Sequence, residues 1–157
     1  MEELAFTAKY SNFNGRIVTQ EQILHNEECI PVQTAWDTGS TYTCISRELA
    51  EQLCLPVVET DELSTSYGKI SSNMYDIQII LNDDLLIPIR VLKQDYIHQE
   101  RVDLLIGMDI ISKGDFSIST FNDVTCFSFR IPSRGLIDFT KYGNDLQLNI
   151  VYNIKRD

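Results

Sequence analysis

Asp37-Thr38-Gly39-Ser40 stands directly after an apolar run, Ile30-Pro31-Val32-Gln33-Thr34-Ala35-Trp36, and is followed by Thr41-Tyr42-Thr43-Cys44-Ile45. A carboxylate presented at the end of a strand can take a proton from water or give one to a leaving group. A strand-terminating turn accounts for the same four residues without chemistry. In that reading Asp37 bonds nearby backbone amides and Gly39 supplies a permissive backbone. About seventy residues downstream lies a second feature, Val102-Asp103-Leu104-Leu105-Ile106-Gly107-Met108-Asp109-Ile110-Ile111. Few other groups suit catalysis. The chain has two histidines, His25 and His98, which read as surface or loop residues, so histidine-centred triads and zinc sites have little to draw on. Gly68-Lys69-Ile70-Ser71 lacks the glycine spacing of a phosphate loop. Asp83-Asp84 reads as a solvated turn, and Asp103 and Asp109 as strand-end and helix-cap positions rather than cation ligands.

In their order and spacing, Asp37-Thr38-Gly39-Ser40, a projecting hairpin and Leu104-Leu105-Ile106-Gly107-Met108-Asp109 resemble the retropepsin-like aspartic proteases, and cellular and bacterial members more than viral ones. The resemblance covers about Ile30 to Gly114. It implies a catalytic Asp37, with Thr38 bracing the loop across a dimer axis and Gly39 allowing close approach of loop and substrate. Ser40, in place of the viral-type alanine, either hydrogen-bonds the outer carboxylate oxygen or is a solvated turn residue. A flap is implied around Tyr67 and Gly68, and Leu105, Ile106 and Gly107 would support the catalytic loop from beneath. No metal or other cofactor is implied. The chemistry needs two carboxylates, because like charges a few ångströms apart cannot both ionise and the pair then holds one proton, acting as base and acid together. The chain has no second Asp-Thr-Gly or Asp-Ser-Gly. The resemblance therefore implies a two-fold homodimer, with one Asp37 from each copy and a polypeptide as substrate. A non-catalytic module that keeps the same fold for dimerisation or peptide binding is the alternative reading.

The elements that must position these residues are mostly strands. Leu4 to Tyr10 alternates loosely, and Asn14-Gly15 before Arg16-Ile17-Val18 predicts an opening hairpin. Pro31 places the start of the next strand at a sheet edge. Ser46 before Arg47-Glu48-Leu49-Ala50-Glu51-Gln52-Leu53 predicts a capped short helix, ended by Pro56. A long hairpin with a projecting tip is expected within Ser64 to Leu81, then a strand over Leu85 to Leu92. Val102 to Ile106 is apolar enough to be buried on both faces. Asp109 to Gly114 reads as a helical turn or two, capped by Asp109 and Gly114. Phe116-Ser117-Ile118-Ser119, Thr125 to Ile131 and Leu146 to Tyr152 alternate as three further strands. Trp36 is expected in the core or an interface.

The expected architecture is a single all-β domain over 1–157: a closed barrel with a flap hairpin and one or two short helices. Its core spans about 1–119, with a C-terminal β extension over about 120–157. A chain of 157 residues with 43% hydrophobic content can bury a core of its own. Thirteen basic against 23 acidic residues give a net charge of −10, which disfavours nucleic acid and anionic membranes as partners. No apolar run has the length of a membrane span. Four cysteines, Cys29, Cys44, Cys54 and Cys126, without a Cys-x-x-Cys spacing suit reduced thiols in a cytoplasm.

Overall fold

The computed structural model describes residues 3–13, 15–65, 68–95, 97 and 101–138. The expected strand over Leu146 to Tyr152, the flap residue Tyr67, His98 and Asn14 lie outside them. Ten strands and two short helices follow in the order β1 (Leu4–Tyr10), β2 (Val18–His25), β3 (Glu28–Trp36), β4 (Cys44–Ser46), α1 (Arg47–Gln52), β5 (Glu59–Thr65), β6 (Gly68–Leu81), β7 (Leu85–Gln94), β8 (Leu104–Ile106), α2 (Met108–Ile111), β9 (Asp115–Phe121) and β10 (Val124–Ile131).

Six strands close on themselves in the order β2-β3-β8-β4-β7-β6, because β6 returns to pair with β2 through Ile23↔Ile79. This is the expected closed barrel. Among the described residues β5 pairs with β6 alone, and the two form a hairpin from Glu59↔Met74 to Thr65↔Gly68. The polar Ser71-Ser72-Asn73 lies within its second strand. β8 sits between β3, to which it is parallel, and β4, to which it is antiparallel. Leu104 and Ile106, on one face of β8, have no exposed surface, while Leu105 on the other face is half-buried, so the expected burial holds fully for one face. Pro31 lies where β3 has no β8 partner, so its missing N–H interrupts no ladder.

The opening hairpin does not form. β1 pairs with β10, not with β2, in a separate three-stranded sheet of order β1-β10-β9. The first tight hairpin is β2–β3, which turns at Asn26 and Glu27, both with positive φ. Asn122-Asp123 turns β9 into β10 in the same way, and Asn82-Asp83 turns β6 into β7. Two consecutive left-handed residues match the twist of the flanking strands, and asparagine tolerates that conformation better than most side chains. β10, within residues 120–157, is the middle strand of the small sheet, and its Phe127 and Phe129 belong to the core.

Trp36 joins the two sheets. Its ring lies 4.9 Å from Phe129, 5.0 Å from Phe127, 6.0 Å from Phe6 and 6.2 Å from Phe116, centroid to centroid. The last strand residue before Asp37 is thereby buried among rings from β1, β9 and β10. α1 forms as expected: Ser46 Oγ accepts from the Leu49 N–H at 3.1 Å. Its far end closes with Cys54 in the left-handed region, while the Leu55 and Cys54 amides donate to the Ala50 and Glu51 carbonyls. α2 is capped differently from expectation. Gly107 is its N-cap and Ser112 its C-cap, and Asp109 lies in the first turn with its carboxylate engaged elsewhere. Gly114 is needed for close packing, since a Cβ there would lie 2.1 Å from the Arg130 carbonyl oxygen.

Candidate active site

Asp37 follows the last residue of β3 and is half-buried. Its N–H donates to the Ile106 carbonyl at 3.0 Å, which continues the parallel ladder one residue past the strand. Its Oδ1 accepts from the Gly39 N–H at 2.8 Å. A carboxylate that bonds the amide two residues on stabilises a turn and is itself held in place by that turn. Gly39 brings this amide close: a Cβ on it would lie 3.1 Å from Asp37 Oδ1. Thr38 is exposed at the loop's apex. Ser40 does not reach the carboxylate. Its hydroxyl donates to the Tyr42 carbonyl at 2.7 Å, within the returning limb of the loop.

The loop rests on the end of β8. A Cβ on Gly107 would lie 2.5 Å from the Tyr42 carbonyl oxygen and 2.9 Å from that of Ser40, so only glycine fits beneath this loop. The Met108 N–H donates to the Ser40 carbonyl at 2.8 Å, and the Asp109 N–H to that of Thr41 at 3.2 Å. Thr43 completes the junction. Its N–H and hydroxyl both donate to the Asp109 carboxylate, at 2.8 and 2.7 Å, and its hydroxyl oxygen accepts from the Gly107 N–H at 3.2 Å. Asp103 has a similar role one strand earlier, where Oδ2 accepts from the Gln33 N–H at 3.0 Å. Asp103 therefore spends its carboxylate on backbone, and Asp109 on the amide and hydroxyl of Thr43. Neither Thr43 nor the Thr43–Asp109 contact is visible in local sequence, because the partners are 66 residues apart.

Leu105 is half-buried and packs against a small cluster of Cys44, Met74 and Leu92. Met74 is the β6 residue opposite Glu59 at the root of the β5–β6 hairpin. That cluster therefore joins the hairpin's root to the strands under the Asp37 loop. Burial pushes the Cys44 thiol up to about 11, so it stays protonated and is no nucleophile. Gly68 pairs with Thr65 at the far end of the same hairpin.

Asp37, Thr38 and Leu105 line a cleft of about 490 Å³ whose other walls include Val102, Ile118 and Arg16. Most of its lining side chains are apolar, its exposed surface is as polar as it is apolar, and Asp37 is its one acidic residue. A second depression, about 540 Å³ between Ile23, Leu55, Ile89 and Arg90, contains no residue of the Asp37 loop or of β8. Among the described residues no helix is long and apolar enough to cross a membrane.

No protein-family model matches this sequence, and none of the curated proteins matches it. Among solved structures, the retropepsin-like aspartic protease from Rickettsia conorii superimposes with a TM-score of 0.50 at 10% identity, over 83% of this chain and 95% of that one. The simian foamy virus (mac) protease gives 0.45 at 16% identity, over 61% and 92% of the two chains. The EIAV protease gives 0.45 at 16%, over 64% and 91%. The chain thus has the retropepsin-like fold.

Proposed function

We propose that this chain is an aspartic endopeptidase, active as a homodimer in which Asp37 of each copy contributes one carboxylate. The supporting observation is that Asp37 stands at a strand end, anchored by the Ile106 carbonyl and the Gly39 amide, as the one acidic residue in the wall of a cleft of about 490 Å³. In the dimer one Asp37 is ionised and takes a proton from water as that water attacks the peptide carbonyl carbon. The other, protonated, hydrogen-bonds the carbonyl oxygen. The departing nitrogen then takes a proton from the pair as the C–N bond breaks. Thr38 braces the two loops, and the β5–β6 hairpin serves as the flap assigned to Tyr67 and Gly68, closing over the peptide. The working unit is one domain per chain, with residues after the core as an extension, and its four free cysteines suit the cytoplasm.

Purified protein is expected to cut an unstructured polypeptide most readily at acidic pH. Asp37→Asn should lower that activity by about a thousandfold or more. Unchanged cleavage by this variant would refute the mechanism. A statine-type transition-state mimic separates the readings. Its binding depends on Asp37 in a protease, whereas a peptide-binding module would ignore the mimic and bind extended peptides equally well after the Asp37→Asn substitution.

A further inference from the structure

Glu21 is a charged residue in the barrel wall with 1% of its surface exposed. It belongs to a chain of hydrogen bonds that ends beside Asp37. The Trp36 indole N–H donates to Thr19 Oγ1 at 2.9 Å, the Thr19 hydroxyl donates to Glu21 Oε1 at 2.6 Å, and Glu21 Oε2 accepts from the Asn82 N–H at 2.6 Å. We propose that Glu21 is a positioning residue for the Asp37 loop, holding the Trp36 indole through the Thr19 hydroxyl and altering that hold when it takes a proton. The proposal rests on the protease reading for its catalytic consequence, though not for the coupling itself.

The direction of the chain follows from donor counting. Thr19 has one hydroxyl hydrogen. With the carboxylate ionised, that hydrogen is committed to Glu21, and a lone pair of the same oxygen remains for the indole. A neutral carboxyl must donate a proton of its own. Oε2 faces an N–H that cannot accept it, so the proton goes to Oε1 and points at Thr19 Oγ1. The Thr19 hydrogen then has to turn away. Thr34 stands directly across the β2–β3 ladder from Thr19, and its fully buried hydroxyl has no partner among the described residues, so it takes that hydrogen once a side-chain rotation brings the two oxygens into range. The Thr19 oxygen accepts from the indole in both states, strengthened in one by its own donation to a carboxylate and in the other sharing its lone pairs with a second donor, so the two protonation states hold the indole with different strength. Trp36 directly precedes Asp37, its own N–H donates to the Ile17 carbonyl at 3.1 Å, and displacement of the ring is passed to the next peptide unit.

The groups acting on Glu21 pull in both directions, with burial the largest. Burial raises its pKa, the Thr19 and Asn82 hydrogen bonds lower it, and the Asp83 carboxylate in the β6–β7 turn raises it. From β1, the Tyr10 hydroxyl faces the same region and donates to the Val18 carbonyl at 2.8 Å. Its own pKa is raised by burial, against the lowering effect of that bond, and the Glu21 charge adds to the rise.

Trp36 is the single tryptophan in the sequence, so its fluorescence reports the chain of bonds directly. The full-length protein, Glu21→Gln and Thr19→Val are titrated by tryptophan emission and by the backbone amide signals of Asp37 and Gly39. Circular dichroism confirms that each is folded. The wild type should show an emission transition above the ordinary glutamate range, and the two amides should shift with the same midpoint. Both variants should lack that transition, Thr19→Val because it cuts the link while leaving the carboxyl in place. In peptide cleavage Glu21→Gln should lower kcat on the order of tenfold with KM little changed, and should lose the corresponding limb of the pH profile. An emission transition that survives in Glu21→Gln, or amides that do not follow it in the wild type, would overturn the proposal. A wild type that cuts nothing would remove the protease reading, while the emission and amide titrations would still decide the role of Glu21.

Discussion

Gly107 and Asp37 depend on each other through backbone alone. With the Tyr42 and Ser40 carbonyl oxygens 2.5 and 2.9 Å from a Cβ at position 107, Gly107→Ala has no side-chain rotation available to relieve the contact, and the loop or β8 must shift. The expected cost is about 3 kcal/mol, the upper end of ordinary overpacking. Urea unfolding measures it, and a variant as stable as the wild type would show that the loop moves freely. Peptide cleavage should fall with it, since the shifted atoms carry Asp37. Gly107 could be read from sequence as the residue that ends an apolar strand. Thr43 could not: an isolated threonine has no local signature, and its role comes from Asp109 brought to 2.7 Å by the crossing of β4 and β8. Ser40 shows the converse. Its place after Asp-Thr-Gly suggested a bond to the carboxylate, but the loop turns its hydroxyl toward Tyr42.

Among the elements, the small sheet is pinned at one end by Asp115, the first residue of β9. Its carboxylate accepts from the Ser133 hydroxyl, the Arg134 amide and the Arg130 guanidinium, and these, in that order, hold its pKa down to about 2 from 3.8. A carboxyl with a depressed folded-state pKa stabilises the fold above its unfolded pKa, and the contribution is lost as pH falls through the folded value. The window is therefore about pH 4 down to 2. Asp115→Asn should unfold more easily than the wild type at neutral pH, and the gap should close through that window in thermal melts. A gap that does not change with pH would mean the contact is merely steric. The pairing of this sheet was not legible. Alternation marks Leu4–Tyr10 and Val124–Ile131 as strands, but 121 positions separate Thr7 from Ser128 and only the shared burial of Phe6, Phe127 and Phe129 around Trp36 selects the partner.

For the whole molecule, the proposed shared site, with one Asp37 from each chain, would tie activity to association. Cleavage at low protein concentration should rise with the square of concentration and become linear once dimers predominate, and sedimentation should show the same transition. Each copy has a net charge of −10, so two copies repel at long range. Raising salt from low to physiological levels should therefore tighten the dimer and raise activity at fixed concentration, because the screening length shortens to about 8 Å. Cleavage by a strictly monomeric species would overturn the shared-site reading.

Local chemistry settled much by itself. The strand ending at Asp37, the serine cap of α1, the apolar β8 and the glycine after it follow from residue type and spacing, since hydrogen-bond periodicity, capping and breaker residues act over a few positions. Burial of Glu21, the bond from Thr43 to Asp109, the partner of β1 and the support beneath the Asp37 loop were decided only in three dimensions. Each depends on which distant segments share a core. In a barrel of long-range pairings that choice is made by the packing of all the strands together, with no single stretch of chain containing the information.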